Sequence, residues 1–210
     1  MNAHAYSAQH IAALVLLIIV VLTGCTPTSV HNLYQPGSPE VHLWGPDSVS
    51  IDASWNYLDA ANVSVIGQVR DLPLLAPLDR AETLIFSRNT NAGTELLLIG
   101  RVIKGSDPNT FVYLGGDKKD VQGKTWRTAT YGIEAAHADR EMRAYLDLAA
   151  AKGCRIVPEY TVEILDRLPS DRVLLRTMHL VPGHSSTPLP EFGELYPQDR
   201  DEMFRLRPGL

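Results

Sequence analysis

Cysteine is scarce in these 210 residues, present only as Cys25 and Cys154. A metal cluster built from cysteines alone needs more thiolates than that, so this class of site is excluded. An excess of positive charge is also missing. Nineteen Lys and Arg stand against twenty-four Asp and Glu, a formal net charge of −5. Nucleic-acid binding is driven by clustered cations that release counterions from phosphate, so the balance argues against a nucleic-acid partner. It also supplies no attraction to anionic lipid headgroups. Any membrane association must therefore be covalent or apolar. No G-x-G-x-x-G, H-E-x-x-H, paired C-x-x-C or EF-hand loop occurs. No catalytic, cofactor-binding or metal-binding residue is assigned, and no cofactor is expected. Core-forming residues, by contrast, are ample. Hydrophobic residues make up 45% and charged residues 20%, which suits one packed domain with appendages.

Long apolar runs are also rare, and the longest is instructive. Ile11 to Leu22 reads IAALVLLIIVVL, twelve apolar residues without a charge. As a helix it would extend about 18 Å, short of the roughly 30 Å hydrocarbon core. That length fits the h-region of an export signal. The n-region before it, MNAHAYSAQH, has no Lys or Arg, only His4, His10 and the terminal amine as positive charge. The run ends in Leu22, Thr23, Gly24 and Cys25. These four residues resemble the lipobox of bacterial lipoproteins: an aliphatic residue, a small residue, Gly or Ala, then Cys. The resemblance implies cleavage between Gly24 and Cys25 and a diacylglyceryl thioether on Cys25. It also implies acylation of the new amino group, with palmitate-like chains. Two or three chains on one residue anchor a protein without a basic patch, whereas one chain binds only marginally. In a cell with two membranes, Thr26 is not the Asp that would favour inner-membrane retention. The resemblance therefore implies the outer membrane, with the body facing the periplasm. With Cys25 committed to lipid, Cys154 has no intramolecular disulfide partner. It opens an apolar stretch after AAAKG and reads as a structural thiol rather than a nucleophile.

The rest divides by composition. Residues 1–24 are the signal peptide, and 25–46 the lipidated N-terminus with a tether containing Pro27, Pro36, Pro39 and Pro46. Such a tether would reach about 65–70 Å when stretched and average roughly 25 Å as a coil. Leu33, Tyr34, Leu43 and Trp44 make it stickier than a pure spacer and suit docking on the body. Residues 47–182 form a single α+β domain, and 183–210 a Pro-rich C-terminal tail with one helical turn near DRDEMF.

Within the domain, Val49, Ile51, Ala53 and Trp55 alternate with polar residues as in a half-buried strand. NVSVIGQVR predicts a second strand, with Gly67 marking a bulge. ETLIFSR and TELLLIGRVIK around NTNAG predict a hairpin. TFVYLGG and KTWRTATYG around a polar loop predict another, and EYTVEILDRL and DRVLLRTMHLV around PSD a third. From Ile133 to Lys152, Ala135, Ala138, Met142, Tyr145, Leu146 and Ala149 make one apolar stripe, with Asp139 and Arg143 pairing on the wet side and Gly153 as a stop. The expected fold is an antiparallel sheet of about six to eight strands packed by one long amphipathic helix.

Several stretches imitate functional motifs. Gly123, Lys124 and Thr125 end a phosphate-loop pattern, but the earlier glycine it needs is Lys118. A polar hairpin tip is the better reading. GHSST, with Ser185 and Ser186, ends in Thr187 where a nucleophile elbow requires Gly. His179, His184 and His137, the last four residues before Glu141, lack the local spacing of a metal site. Two function classes follow. One is a lipid-anchored cell-envelope protein, a non-catalytic binding or assembly module with an envelope protein partner. The alternative is a lipid-anchored periplasmic hydrolase whose site is assembled from distant residues. Convergence of a histidine with an acid and a serine in a concave pocket would favour the second.

Overall fold

A computed structural model describes residues 30–65, 79–105, 110–111 and 116–183. Gly24, Cys25, Gly67, His184, Ser185, Ser186 and the turn near DRDEMF lie outside the described residues.

The strands are β1 (Glu40–Trp44), β2 (Asp47–Ser50), β3 (Asn56–Val65), β4 (Asp79–Asn89), β5 (Thr94–Ile103), β6 (Asp117–Val121), β7 (Lys124–Glu134), β8 (Glu159–Ser170) and β9 (Val173–Pro182). Among the described residues one α-helix, α1 (Arg140–Ala151), interrupts them. Seven strands form one antiparallel sheet in the order β3-β4-β5-β9-β8-β7-β6. β1 and β2 pair as a separate small hairpin. The antiparallel α+β architecture is as expected. Two expected hairpins, β4–β5 and β8–β9, stand where the turn-rich NTNAG and PSD segments place them.

Both faces of the sheet are covered, which explains why Ala81 through Ser87 of β4 are buried without alternation. On one face, Met142, Tyr145, Leu146 and Ala149 of α1 pack on Ile85, Leu98, Met178 and Ile164. On the other, Val30, Leu33, Val41 and Leu43 pack on Leu84, Phe86, Ile99 and Leu175. The segment from Val30 to Pro46, expected as part of a tether, is therefore built into the body from its first described residue. Its sequence allows this because Val41 and Leu43 alternate with polar neighbours in β1. Hydrogen bonds pin it. Arg101 Nη1 donates to the Leu43 carbonyl at 2.9 Å, and Lys124 Nζ donates to the Pro46 carbonyl at 3.2 Å. Gln122 reaches Ser50 Oγ at 3.1 Å.

The helix is shorter than the stripe implied. Gly132, Ile133 and Glu134 stay in β7, opposite Thr161, Tyr160 and Glu159, and Ala135 N–H donates to the Pro158 carbonyl at 2.7 Å. Only after a single 3-10 turn, Ala135–His137, does α1 begin. Asp139 caps it, its carboxylate accepting from Met142 N–H at 2.8 Å. The expected Asp139–Arg143 ion pair gives way to that cap, and Arg143 donates instead to the Ala136 and Ala138 carbonyls. Gly153 takes a left-handed conformation, φ +87°, just past the end. Removing the cap through Asp139→Ala should cost about 1 kcal/mol and lower the melting temperature by about 2–4 °C. An unchanged thermal melt would show that the cap is redundant.

Two other strand expectations shift. The strand expected through Val49 to Trp55 ends at Ser50, where the Asp52 carboxylate accepts from Ser54 N–H at 2.8 Å and turns the chain. The polar DKKDV, expected as a loop, is itself edge strand β6. The turn is at Gln122 and Gly123, whose φ values of 55° and 74° are those of a type I′ hairpin. Gly123 and Lys124 thus do lie at a hairpin tip.

Candidate functional site

The chemistry-bearing side chains gather in polar clusters on opposite faces of the sheet. Cross-strand pairing puts Thr83, Gly100, Arg176, Asp166 and Arg127 in one row across five strands, on the face that carries α1. One step along, Ile85, Leu98, Met178, Ile164 and Ala129 form the apolar row on which the helix rests. The polar row is tied together. Both Asp166 oxygens accept from Arg176, from Nε and Nη2, at 2.9 Å each. Tyr145 descends from α1, donating to Glu141 at 2.8 Å, with Thr83 Oγ1 2.9 Å from its hydroxyl. Gly100 is required in this row, because a Cβ there would sit 2.3 Å from the Glu82 carbonyl oxygen. Burial, reinforced by Glu141, raises the Tyr145 phenol well above its usual range. Burial does the same for Tyr131. Both therefore stay neutral at physiological pH. Burial opposes the Arg176 charge, but Asp166 outweighs it and holds the guanidinium protonated. A forked ion pair and neutral phenols suit rigid cross-linking of sheet and helix rather than proton transfer.

The opposite face holds a second cluster, and here His179 lies. Its Nε2 is 3.3 Å from Glu95 Oε2, and its ring meets Trp55 edge-on, centroids 5.4 Å apart. Arg88 binds the same Glu95 carboxylate through Nε and Nη2. The Arg88 guanidinium also stacks 4.5 Å from the Trp55 ring centroid and donates to Ser54 Oγ at 3.2 Å. Burial works against the Glu95 charge, but its hydrogen bonds to Arg88 and His179 prevail and hold its pKa below the usual carboxylate range. Asp47 behaves alike at the N-terminal hairpin. Burial disfavours its charge, and Lys124, 2.6 Å away, together with Arg167 lowers its pKa.

Both carboxylates have native pKa values below those of the unfolded chain, about 3.9 for Asp and 4.3 for Glu. Their contribution to stability is complete above those values and is lost as pH falls through the lower native ones. Urea midpoints should therefore hold from pH 7 to about pH 5 and fall below about pH 4. Asp47→Asn should flatten that acid limb, and an unaltered limb would remove Asp47 from it.

No protein-family model, curated protein or solved structure matches this chain. His137 bonds through Nδ1 to Glu134 at 2.8 Å rather than to Glu141, on an exposed turn, so it does not join His179. Cys154 is half-buried against the α1-side core, and its pKa is raised by burial, against a weaker opposing hydrogen bond from Ser87. That favours the thiol over the reactive thiolate. A cleft of about 430 Å³ opens beside the β4–β5 turn, lined by Asn89, Thr90, Asn91, Gly153 and Arg155 among others. Its polar groups bind one another. Arg155 Nη2 donates to the Asn91 carbonyl at 2.7 Å, and Thr94 Oγ1 donates to Asn89 at 3.0 Å. Among the described residues, no three His, Cys, Asp or Glu side chains are placed to hold a metal ion. No described helix is long and apolar enough to cross a membrane.

The sequence pattern marks Trp55 only as an inward strand position and does not mark Arg88 or Glu95. A signal did exist for the last two. With the turn confined to Thr90–Gly93 of NTNAG and Asn89 opposite Thr94, Arg88 must face Glu95.

Proposed function

We propose that this chain is a lipid-anchored cell-envelope protein, attached through acylated Cys25, whose body is a non-catalytic binding or assembly module for an envelope partner. The observation that carries this reading is Leu22-Thr23-Gly24-Cys25 at the close of an uncharged apolar run too short to span a bilayer. In a two-membrane cell the anchor lies in the outer membrane, and the body faces the periplasm.

The ion pairing of the body supports binding over catalysis. Asp166, Glu95, Glu82 and Asp79 each bond directly to a cationic side chain. A general base must be free to accept a proton near its operating pH. The arrangement that favours a periplasmic hydrolase is His179 beside Glu95, but Arg88 already claims that carboxylate.

Mass spectrometry of the mature N-terminus tests the anchor, and Cys25→Ala tests its consequence. The variant should accumulate as an uncleaved or mislocalised precursor. A bare cysteine at the native N-terminus, or normal processing and membrane fractionation of the variant, would refute the assignment.

A further inference from the structure

The buried start of the body limits how far it can stand from its anchor. Val30 is 0% exposed and belongs to the apolar layer over the sheet, and the 3-10 turn it opens, Val30–Asn32, rests on β3 and β4. Cys25 precedes Val30 by five residues. Five residues reach at most about 18 Å even when fully extended. The headgroup zone on one side of a bilayer is itself roughly 5–8 Å deep. A body fixed at Val30 cannot swing clear of such a surface.

The residues just beyond that fixed point have the character of an interface. Tyr34 packs against Tyr57 at 5.2 Å and edge-on against Phe86 at 5.1 Å. Trp55 lies two residues before Tyr57, with Arg88 stacked over its ring. All three, Tyr34, Trp55 and Tyr57, are half-buried. Rings with an apolar body and a polar edge settle at headgroup depth. The charges beside them, Arg88 against Glu95 and Asp52, leave no excess of positive charge, so contact there is not driven by anionic lipid. Trp44, the more exposed indole, stands over Arg101 instead, six residues from Glu95 along β5. That separation is about 20 Å of strand.

We infer that the patch of Tyr34, Trp55 and Tyr57, beside Arg88, rests on the lipid surface, held there by the short link between Cys25 and Val30. The inference builds on Cys25 being the anchor. The occupant is lipid rather than a protein because the link length alone brings this end of the body to the bilayer.

The processed full-length protein, with Cys154→Ser, is purified and reconstituted into vesicles of phosphatidylethanolamine with phosphatidylglycerol, and separately of phosphatidylcholine alone. Single cysteines are placed beside the patch, Gln35→Cys or Ala53→Cys, and on the far side of the sheet, Asp147→Cys on α1. All three positions are exposed, so the fold should tolerate them. Their reaction with a membrane-impermeant maleimide is timed. Residues 35 and 53 should react about five-fold or more slowly than residue 147 in both lipid mixtures, as interfacial burial shields them. Equal rates, with lipid on Cys25 shown by mass spectrometry of the same sample, would overturn the docking and leave the anchor standing. A bare Cys25 would overturn the anchor and the docking with it. Protection seen in native membranes but absent from purified vesicles would assign the patch to a protein partner and overturn lipid docking.

Discussion

Glu82→Ala is expected to destabilise the protein by about 3–5 kcal/mol, a large part of the 5–15 kcal/mol that holds a typical domain together. Glu82 is 1% exposed and accepts from Arg101 Nε at 2.8 Å and Nη2 at 2.7 Å. Arg80 Nη2 approaches its other oxygen at 2.5 Å. Arg101 is itself buried, and its Nη1 donates to the Leu43 carbonyl. Deleting the carboxylate leaves a desolvated guanidinium with only that neutral carbonyl and the Trp44 ring, which is why one substitution costs more than the pair is worth. The melting temperature should fall by roughly 10 °C. Glu82→Leu with Arg101→Met removes both charges and should recover most of the loss, because apolar residues of similar volume replace buried pairs well. Urea unfolding measures all three proteins. A Glu82→Ala loss under about 1 kcal/mol would show that water reaches Arg101 and that the hairpin does not seal it.

The contrast between that pair and the rest of the fold shows what the chain discloses locally. The β4–β5 and β8–β9 hairpins were legible because pattern and loop chemistry agree within some twenty residues. The start of α1 was not, because Ala135 and Ala138 keep helical spacing while the strand before them is fixed by β8, two dozen residues later. Nothing nearby announces that competition. Pro36, Pro39 and Pro46 disguised the N-terminal segment, yet they only bracket β1 and its turn, and Val41 and Leu43 between them are buried. Glu82 and Arg101 look like solvent-facing residues in strands and become buried only once the distant β1–β2 hairpin covers them. Arg88, Glu95 and His179 follow the same logic. The hairpin register sets the first two opposite each other, but His179 arrives through the non-local β5–β9 pairing.

Starting the chain at Asp47 should abolish the cooperative fold, whereas starting it at Thr26 should preserve it. The shorter chain lacks Val30, Leu33, Val41 and Leu43, each at most 2% exposed. Burying such side chains contributes about 1.5–3 kcal/mol apiece, roughly 6–12 kcal/mol together, which is comparable to a domain's whole stability. Their loss would also uncover Leu84, Phe86, Ile99, Trp126 and Leu175 as one apolar face and strand Arg101 and Glu82 in the open. An exposed face of that kind drives aggregation. Size-exclusion chromatography and thermal melts of the two chains separate the outcomes, and a soluble Asp47 chain melting near the longer one would show that the hairpin is an accessory. The functional consequence follows from the same packing. On the proposed anchor at Cys25, a segment the fold cannot release would leave at most about 18 Å of chain between lipid and sheet, so a partner would have to meet the body at the membrane face.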